Sequence, residues 1–145
     1  MPNPSVPATD WPGKRLGLPE KGPRSVARGG RRIVAVAVDW AIATAISVVF
    51  FTPGDSVLER LGSSNAGATL VAFAVLQILF IPTLGGSLGH LALGMRIVAM
   101  KPGWVGPLRP AIRTVLLCLF IPAVIWDRDQ RGMHDRLAGT VLVRR

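Results

Sequence analysis

The segment IVAVAVDWAIATAISVVFF, Ile33 to Phe51, decides the fold that we expect for this chain. It is long and apolar enough to cross a bilayer as a helix, and its only charged side chain is that of Asp39. A carboxylate within a membrane costs about 2.5–3.5 kcal/mol on insertion scales, so it normally faces protein and has a role. Arg32 lies about two helical turns earlier, so it shares a face with Asp39, with a rise of about 10 Å between them. We expect this face to carry the functional residues.

Two further apolar segments follow. The first, AGATLVAFAVLQILFIPTL, runs from Ala66 to about Leu84 and predicts a second crossing helix, with Gln77 as its only strongly polar side chain. The second runs from Ala111 to Trp126, but its uncharged part has only 13 residues and contains a proline. That is short for a crossing and favours a re-entrant or interfacial helix, with a crossing as the alternative. The sequence thus predicts an all-α membrane protein with two transmembrane helices, at about 33–51 and 66–84, and a short third apolar helix at about 111–126.

Two short stretches are typical of strands. Met95–Met100 (MRIVAM) and Thr140–Val143 (TVLV) are rich in β-branched residues, and they follow Gly94 and Gly139. We predict that they pair as a small two-stranded element at the cytoplasmic surface of the membrane. By contrast, residues 1–30 contain six prolines, several glycines and scattered basic residues, which predicts a largely disordered cytoplasmic tail. Residues 31–145 would form the membrane domain.

The distribution of charge indicates how the chain crosses the membrane. The net charge of +9 would suit a nucleic-acid-binding protein, but the basic residues flank apolar segments, so we expect no nucleic-acid partner. Lys and Arg number seven up to Arg32, one in the first loop, four from Gly85 to Arg113 and five after Trp126. The positive-inside rule therefore places the N-terminus in the cytoplasm and the first loop outside. A third segment that dips in and returns would keep the C-terminus cytoplasmic, as the strand pair requires.

The polar residues of the apolar segments suggest specific partners. In an antiparallel helical hairpin Gln77 reaches the depth of Asp39, and its amide can donate a hydrogen bond to the carboxylate. Asp135 is expected to cap a turn or to pair with an arginine of the middle loop, such as Arg96. His90 is expected to be a surface histidine. His134 and Asp135 have no accompanying set of His or Asp residues, and Cys118 is the only cysteine, so we expect no metal site, no other cofactor and no catalytic residue.

Three sequence blocks together carry a family resemblance. RRIVAVAVDW, residues 31–40, is similar to Arg-x-x-Ala-x-x-Ile-Asp. GGSLGHLALGMRIV, residues 85–98, is similar to Gly-x-x-Gly-Lys-x-x-x-Gly-x-Arg-Val, except that His90 stands where Lys or Arg is usual. RGMHDRLAGTVLV, residues 131–143, is similar to a His-Asp-Lys/Arg-Leu-Ala-Gly-Thr ending. The blocks resemble the RDD family of small bacterial integral-membrane proteins, named for one arginine and two aspartates. The resemblance maps this signature to Arg32, Asp39 and Asp135, with supporting positions at Gly89, Gly94, Arg96, His134, Gly139 and Thr140.

Two functions remain open at this point. The first is a non-catalytic subunit or adaptor of the bacterial inner membrane, in which Arg32, Asp39 and Asp135 fix the fold and bind a partner. That partner would be a second copy or another membrane subunit, with anionic lipid at the arginine-rich cytoplasmic face. The second follows from the resemblance, because some RDD relatives are regarded as cation/proton antiporters. Asp39, with Gln77 beside it, would then bind a proton or a small cation in turn.

Overall fold

The computed structural model describes residues 11–100, 106–119 and 132–145. After a single 3₁₀ turn at Lys14–Leu16, the elements in chain order are α1 Gly29–Phe51, α2 Val57–Gly62, α3 Ala66–Leu84, α4 Leu88–Ala92, β1 Met95–Ala99, α5 Leu108–Cys118, α6 Met133–Leu137 and β2 Thr140–Arg144.

The two long helices, α1 and α3, are apolar around most of their circumference. Both are long and apolar enough to cross a membrane, and only 28% of the α1 window and 22% of the α3 window are buried within the protein. The core helix of a soluble protein would be mostly buried, so these surfaces are typical of helices that face lipid. The predicted bounds of the second helix are confirmed, and α1 begins four residues before its predicted start. The Asn65 side chain caps α3 by accepting hydrogen bonds from Gly67 N–H and Ala68 N–H.

Helices α1 and α3 pack against each other along one face. The rings of Trp40 and Phe73 are tilted, with their centroids 5.6 Å apart. Phe73 also packs with Ala43 and with Leu117 of α5 in a small apolar cluster. The short side chain of Ala43 leaves room at this contact, so α5 lies against the helical pair.

The small sheet is built from two similar units, each a short helix followed by a glycine and a strand. Gly94 separates α4 from β1, Gly139 separates α6 from β2, and both have a φ of 65°, which glycine adopts without strain. Strands β1 and β2 pair antiparallel, with Arg96 opposite Val143 and Ala99 opposite Thr140. The predicted two-stranded element is therefore confirmed.

The segment before α1 lies along the other edge of β2. Arg24 N–H donates to Arg144 C=O at 2.8 Å, Ala27 N–H donates to Leu142 C=O at 2.9 Å, and Arg144 N–H donates to Ser25 C=O at 2.9 Å. Val26 and Ala27 are buried. The structure thus places this part of the predicted tail in the fold, because β2 offers free backbone groups for pairing. The start of α1 and the C-terminus consequently lie side by side.

Only the first part of the third apolar segment is described. Helix α5 buries the side chains of Pro110, Arg113, Thr114 and Leu117, which recur every three or four residues on one face. The remainder of the predicted 111–126 helix, from residue 120 onward, lies outside the described residues. A crossing or re-entrant course for this segment therefore stays a prediction.

Candidate functional site

Asp39 lies on the buried face of α1 and is only 4% exposed. Its Oδ2 accepts hydrogen bonds from Gln77 Nε2 of α3, at 3.0 Å, and from Ser87 Oγ, at 2.5 Å. Its Oδ1 accepts a bond from the backbone N–H of Gly89, at 2.7 Å. The hydrogen bond expected between Gln77 and Asp39 is therefore present. The carboxylate joins α1 to α3 and to the start of α4.

The start of α4 is shaped to meet this carboxylate. Ser87 and His90 form a capping box, in which the Ser87 side chain accepts from His90 N–H and the His90 ring accepts from Ser87 N–H. A Cβ at Gly89 would overlap the carbonyl oxygen of Ala35 and lie 2.9 Å from its carbonyl carbon. Only glycine therefore allows the α4 backbone to approach α1 closely enough for the Gly89 N–H to reach Asp39.

His90 is buried beneath this capping box, not at the surface as we expected. Its Nδ1 lies 2.6 Å from Ser87 Oγ, so the hydroxyl stands between the Asp39 carboxylate and the imidazole. Burial, and after it the charge of Arg113, holds the pKa of His90 well below its ordinary value of 6.5. The ring is therefore neutral at physiological pH, and His90 carries no fixed positive charge.

We expect the protein to lose stability as the pH falls below about 6.5. The unfolded chain takes up a proton on His90 near that pH, whereas the folded chain keeps the ring neutral, so acid favours unfolding. Above that pH neither state binds this proton, and His90 contributes no pH dependence. Thermal unfolding in detergent from about pH 8 to about pH 5 should show a fall of up to about 1.4 kcal/mol per pH unit that His90→Gln flattens. An equal slope in the variant would contradict this assignment.

Asp135 forms a second buried site, and no part of this residue is exposed to solvent. Its Oδ2 accepts from Arg32 Nη1 at 2.9 Å, and its Oδ1 accepts from Arg113 Nε at 2.6 Å. Arg32 also donates to the carbonyl oxygens of Ala27 and Leu142. Arg32 thus links α1 to both the segment before it and β2, while Asp135 links α6 to α1 and α5. We expected Asp135 to cap a turn or to pair with an arginine of the middle loop, such as Arg96. It pairs with Arg113, the last arginine of the stretch from Gly85 to Arg113, whereas Arg96 is exposed on β1.

The charges around Asp135 keep it ionised. Burial alone would raise its pKa, but Arg113, together with His134 and Arg32, lowers that pKa far below the ordinary value. His134 Nε2 lies 3.7 Å from Oδ1. Thr140 Oγ1 donates to the backbone carbonyl of Asp135 at 3.3 Å, so the start of β2 is tied to α6.

Comparison with known protein families gives a match. The family model described as RDD family matches residues 26–139, which is most of the chain. The chain belongs to the RDD family. No curated protein and no solved structure matches the chain. Membership of the RDD family and the two long apolar helices together point to a membrane protein.

The three residues to which the resemblance mapped the signature, Arg32, Asp39 and Asp135, divide between the two carboxylate sites. Asp39 stands with Gln77 and Gly89 in one site. Arg32 and Asp135 stand with His134 in the other, so Arg32 meets the second aspartate of the signature even though it shares a helical face with the first. The supporting glycines Gly94 and Gly139 lie in the turns before the strands.

Three residues of these sites were not predicted as site residues: Ser87, His90 and Arg113. The spacing of Ser87 and His90 is that of a capping box, which was a usable signal for a helix start. Arg113 interrupts the start of an apolar segment, which is the setting in which a charged residue faces protein. Within residues 11–100, 106–119 and 132–145, no group of three or more His, Cys, Asp and Glu side chains converges as a metal site would require.

Proposed function

We propose that this RDD protein is a non-catalytic, multi-pass subunit or adaptor of the inner membrane. The observation that carries the proposal is the hydrogen bonding of the two carboxylates. Asp39 receives donors from α3 and α4, and Asp135 receives donors from α1 and α5. Carboxylates held in this way join elements that lie far apart in sequence. We therefore assign Arg32, Asp39 and Asp135 a structural role. Their hydrogen bonds and ion pairs hold elements that are distant in sequence in one fixed arrangement.

Both ends of the described domain belong on the cytoplasmic side in this proposal. The start of α1 lies beside the C-terminal strand, and most of the basic residues flank this end of the molecule. Exposed arginines here would attract anionic lipid, at about 1 kcal/mol for each basic residue near the surface. Arginines of this kind stand at Arg24, Arg28, Arg31 and Arg96.

The outward apolar surface of α3 is the place where we expect a second membrane helix to dock. Val71, Val75 and Leu79 are exposed and recur every four residues on this helix. In a bilayer such a stripe contacts either lipid or another helix, and packing between helices needs this kind of continuous face. The expected partner is a second copy of the chain or another membrane subunit.

Photocrosslinking in intact membranes tests this surface. A photoreactive residue at Val75 should give one discrete adduct, of twice the mass of the protein for a second copy, or of another fixed mass for another subunit. The same residue at Phe73, which is buried on α3, is the matched control and should give no adduct with another protein. If Val75 forms adducts with lipid alone, the docking surface is wrong.

A transport role is the second candidate, and the chain of groups from Asp39 through Ser87 to His90 favours it. In one arrangement the Ser87 hydroxyl donates to an ionised Asp39, while Nδ1 of the neutral His90 ring accepts from Ser87 N–H. In the other a protonated Asp39 donates to the hydroxyl, which donates to Nδ1. The two arrangements differ by one proton, which Asp39 in the second has taken up from outside these three groups.

Removal of the Ser87 hydroxyl, which lies between Asp39 and His90, tests the transport candidate. Ser87→Ala removes the hydroxyl, so it should reduce any proton flux into vesicles at least about tenfold. Ser47→Ala is the matched control, because Ser47 is a buried serine of α1 outside the chain of hydrogen bonds. Equal flux in the two variants would remove this candidate.

A further inference from the structure

A cavity of about 610 Å³ lies between α1, α3 and α5, beside the Asp135 site. Its size falls within the range of about 300–1,000 Å³ that is typical of small-molecule sites. At one end it is lined by Arg32, Arg113 and His134. Along its length it is lined by apolar side chains that include Val36, Trp40, Leu70, Phe73 and Leu117.

The lining of the cavity changes from charged to apolar side chains along α1. Arg32 and Trp40 both line it and are eight residues apart, which is a rise of about 12 Å. Phe73 and Leu70 come from the half of α3 before Gln77, so they extend the apolar end away from the sheet. A molecule that fits this shape has an anionic group at one end and a hydrocarbon chain.

The charged end of the cavity has more positive than negative charge, because the arginines Arg32 and Arg113 share the single carboxylate of Asp135. Arg113 is only 3% exposed, and while its Nε donates to Asp135, its Nη1 has no hydrogen-bond partner among the described residues. An anionic oxygen at this end of the cavity would offset the excess positive charge of the two guanidinium groups. Guanidinium groups are suited to carboxylates and phosphates, because their N–H donors lie in one plane.

The side of the cavity is open where α1 faces outward. Ile33 and Trp40 line it and are 65% and 42% exposed. On a helix that faces lipid, such an opening leads into the bilayer and gives a membrane lipid a lateral route of entry.

We propose that this cavity binds a single-chain lipid anion, with its carboxylate or phosphate at the end lined by Arg32, Arg113 and His134 and its acyl chain along α1 toward Trp40 and Phe73. The proposal assigns a ligand site to the protein and does not depend on its role as an adaptor or a transporter. The bound anion would also lie close to Arg32 and His134, next to the second aspartate of the family signature.

Fluorescence quenching tests the proposal with the full-length protein in neutral detergent. The probe is stearate with a nitroxide near the end of its chain, which should quench Trp40; Trp40→Phe identifies the part of the quenching that comes from this residue. The methyl ester of the same probe lacks the charge and should bind at least about tenfold more weakly. Competition by palmitate and by hexadecyl phosphate shows whether a carboxylate or a phosphate is the better head group. Equal binding of the acid and its ester would overturn the proposal.

Two variants locate the site. Arg113→Gln should weaken probe binding at least about tenfold, whereas Arg28→Gln, which removes an exposed charge, should not. Because Arg113 also holds Asp135, Ala37→Phe provides a second test that fills the cavity and leaves the charges in place. Ala45→Phe is its control, since Ala45 is exposed on the same helix and does not line the cavity. If a folded Ala37→Phe variant binds the probe as the wild type does, the site lies elsewhere.

Discussion

Asp135→Asn is expected to lower the free energy of unfolding by about 3–5 kcal/mol. Asparagine keeps the shape of the side chain but removes the charge that two guanidinium groups share. Arg32 and Arg113 are both buried, so neither can turn to water when its counter-charge is lost. This loss would be a large part of the stability of a small domain. Denaturant titration in mixed micelles, followed by circular dichroism, measures the change.

A control and a second variant make this result specific. Asp55→Asn, in the loop after α1, changes an exposed aspartate and should stay within about 0.5 kcal/mol of the wild type. The double variant Asp135→Asn with Arg113→Gln should lose less stability than the sum of the two single changes, because the groups act as one pair. If the two losses of stability are additive, Asp135 and Arg113 have no interaction free energy, which would contradict the structural role of Asp135.

Gly89→Ala is expected to be the most damaging change in the other site, with a loss of about 3 kcal/mol or more. The added methyl group would overlap the backbone of Ala35, and neither backbone can turn aside as a side chain would. Helix α4 would have to move away from α1, and Asp39 would lose the hydrogen bond from Gly89 N–H. Thermal unfolding and amide exchange at Gly89 or its substitute measure both effects.

Gly30→Ala is the matched control for this substitution. Gly30 lies in the first turn of α1, and a Cβ there would meet no atom within 4 Å. Alanine is the better helix former by up to about 1 kcal/mol, so this change should be neutral or stabilising. A Gly89→Ala protein with wild-type stability and a protected amide would show that the close approach of α4 to α1 is not required.

The parts of the fold that depend on local pattern were predictable from the sequence. Long apolar runs gave α1 and α3, because a helix is the element that satisfies its own backbone in such a run. Glycines followed by β-branched residues gave β1 and β2. The Asp39–Gln77 hydrogen bond could be predicted because an antiparallel hairpin fixes the relative depth of two side chains.

The contacts between distant segments were not predictable in the same way. Arg32 and Asp39 share a face of α1, but the helical rise keeps them about 10 Å apart along the axis, and Arg32 instead reaches Asp135, far along the chain. Arg96 lies on a strand whose register turns its side chain outward, so it cannot form an ion pair with Asp135. Residues 24–27 have a composition typical of a tail, yet the free edge of β2 supplies the hydrogen bonds that order them.

Measurements of ion flux into vesicles that contain the wild type or the Asp39→Asn variant test most directly the claim that Asp39 has a structural role. Asparagine cannot titrate, and its amide would face the donors that now serve a carboxylate, so the variant should lose about 1–3 kcal/mol of stability. We expect that neither protein carries protons, Na⁺ or K⁺ across the vesicle membrane at any pH. Flux through the wild type that disappears in an equally stable Asp39→Asn protein would contradict it.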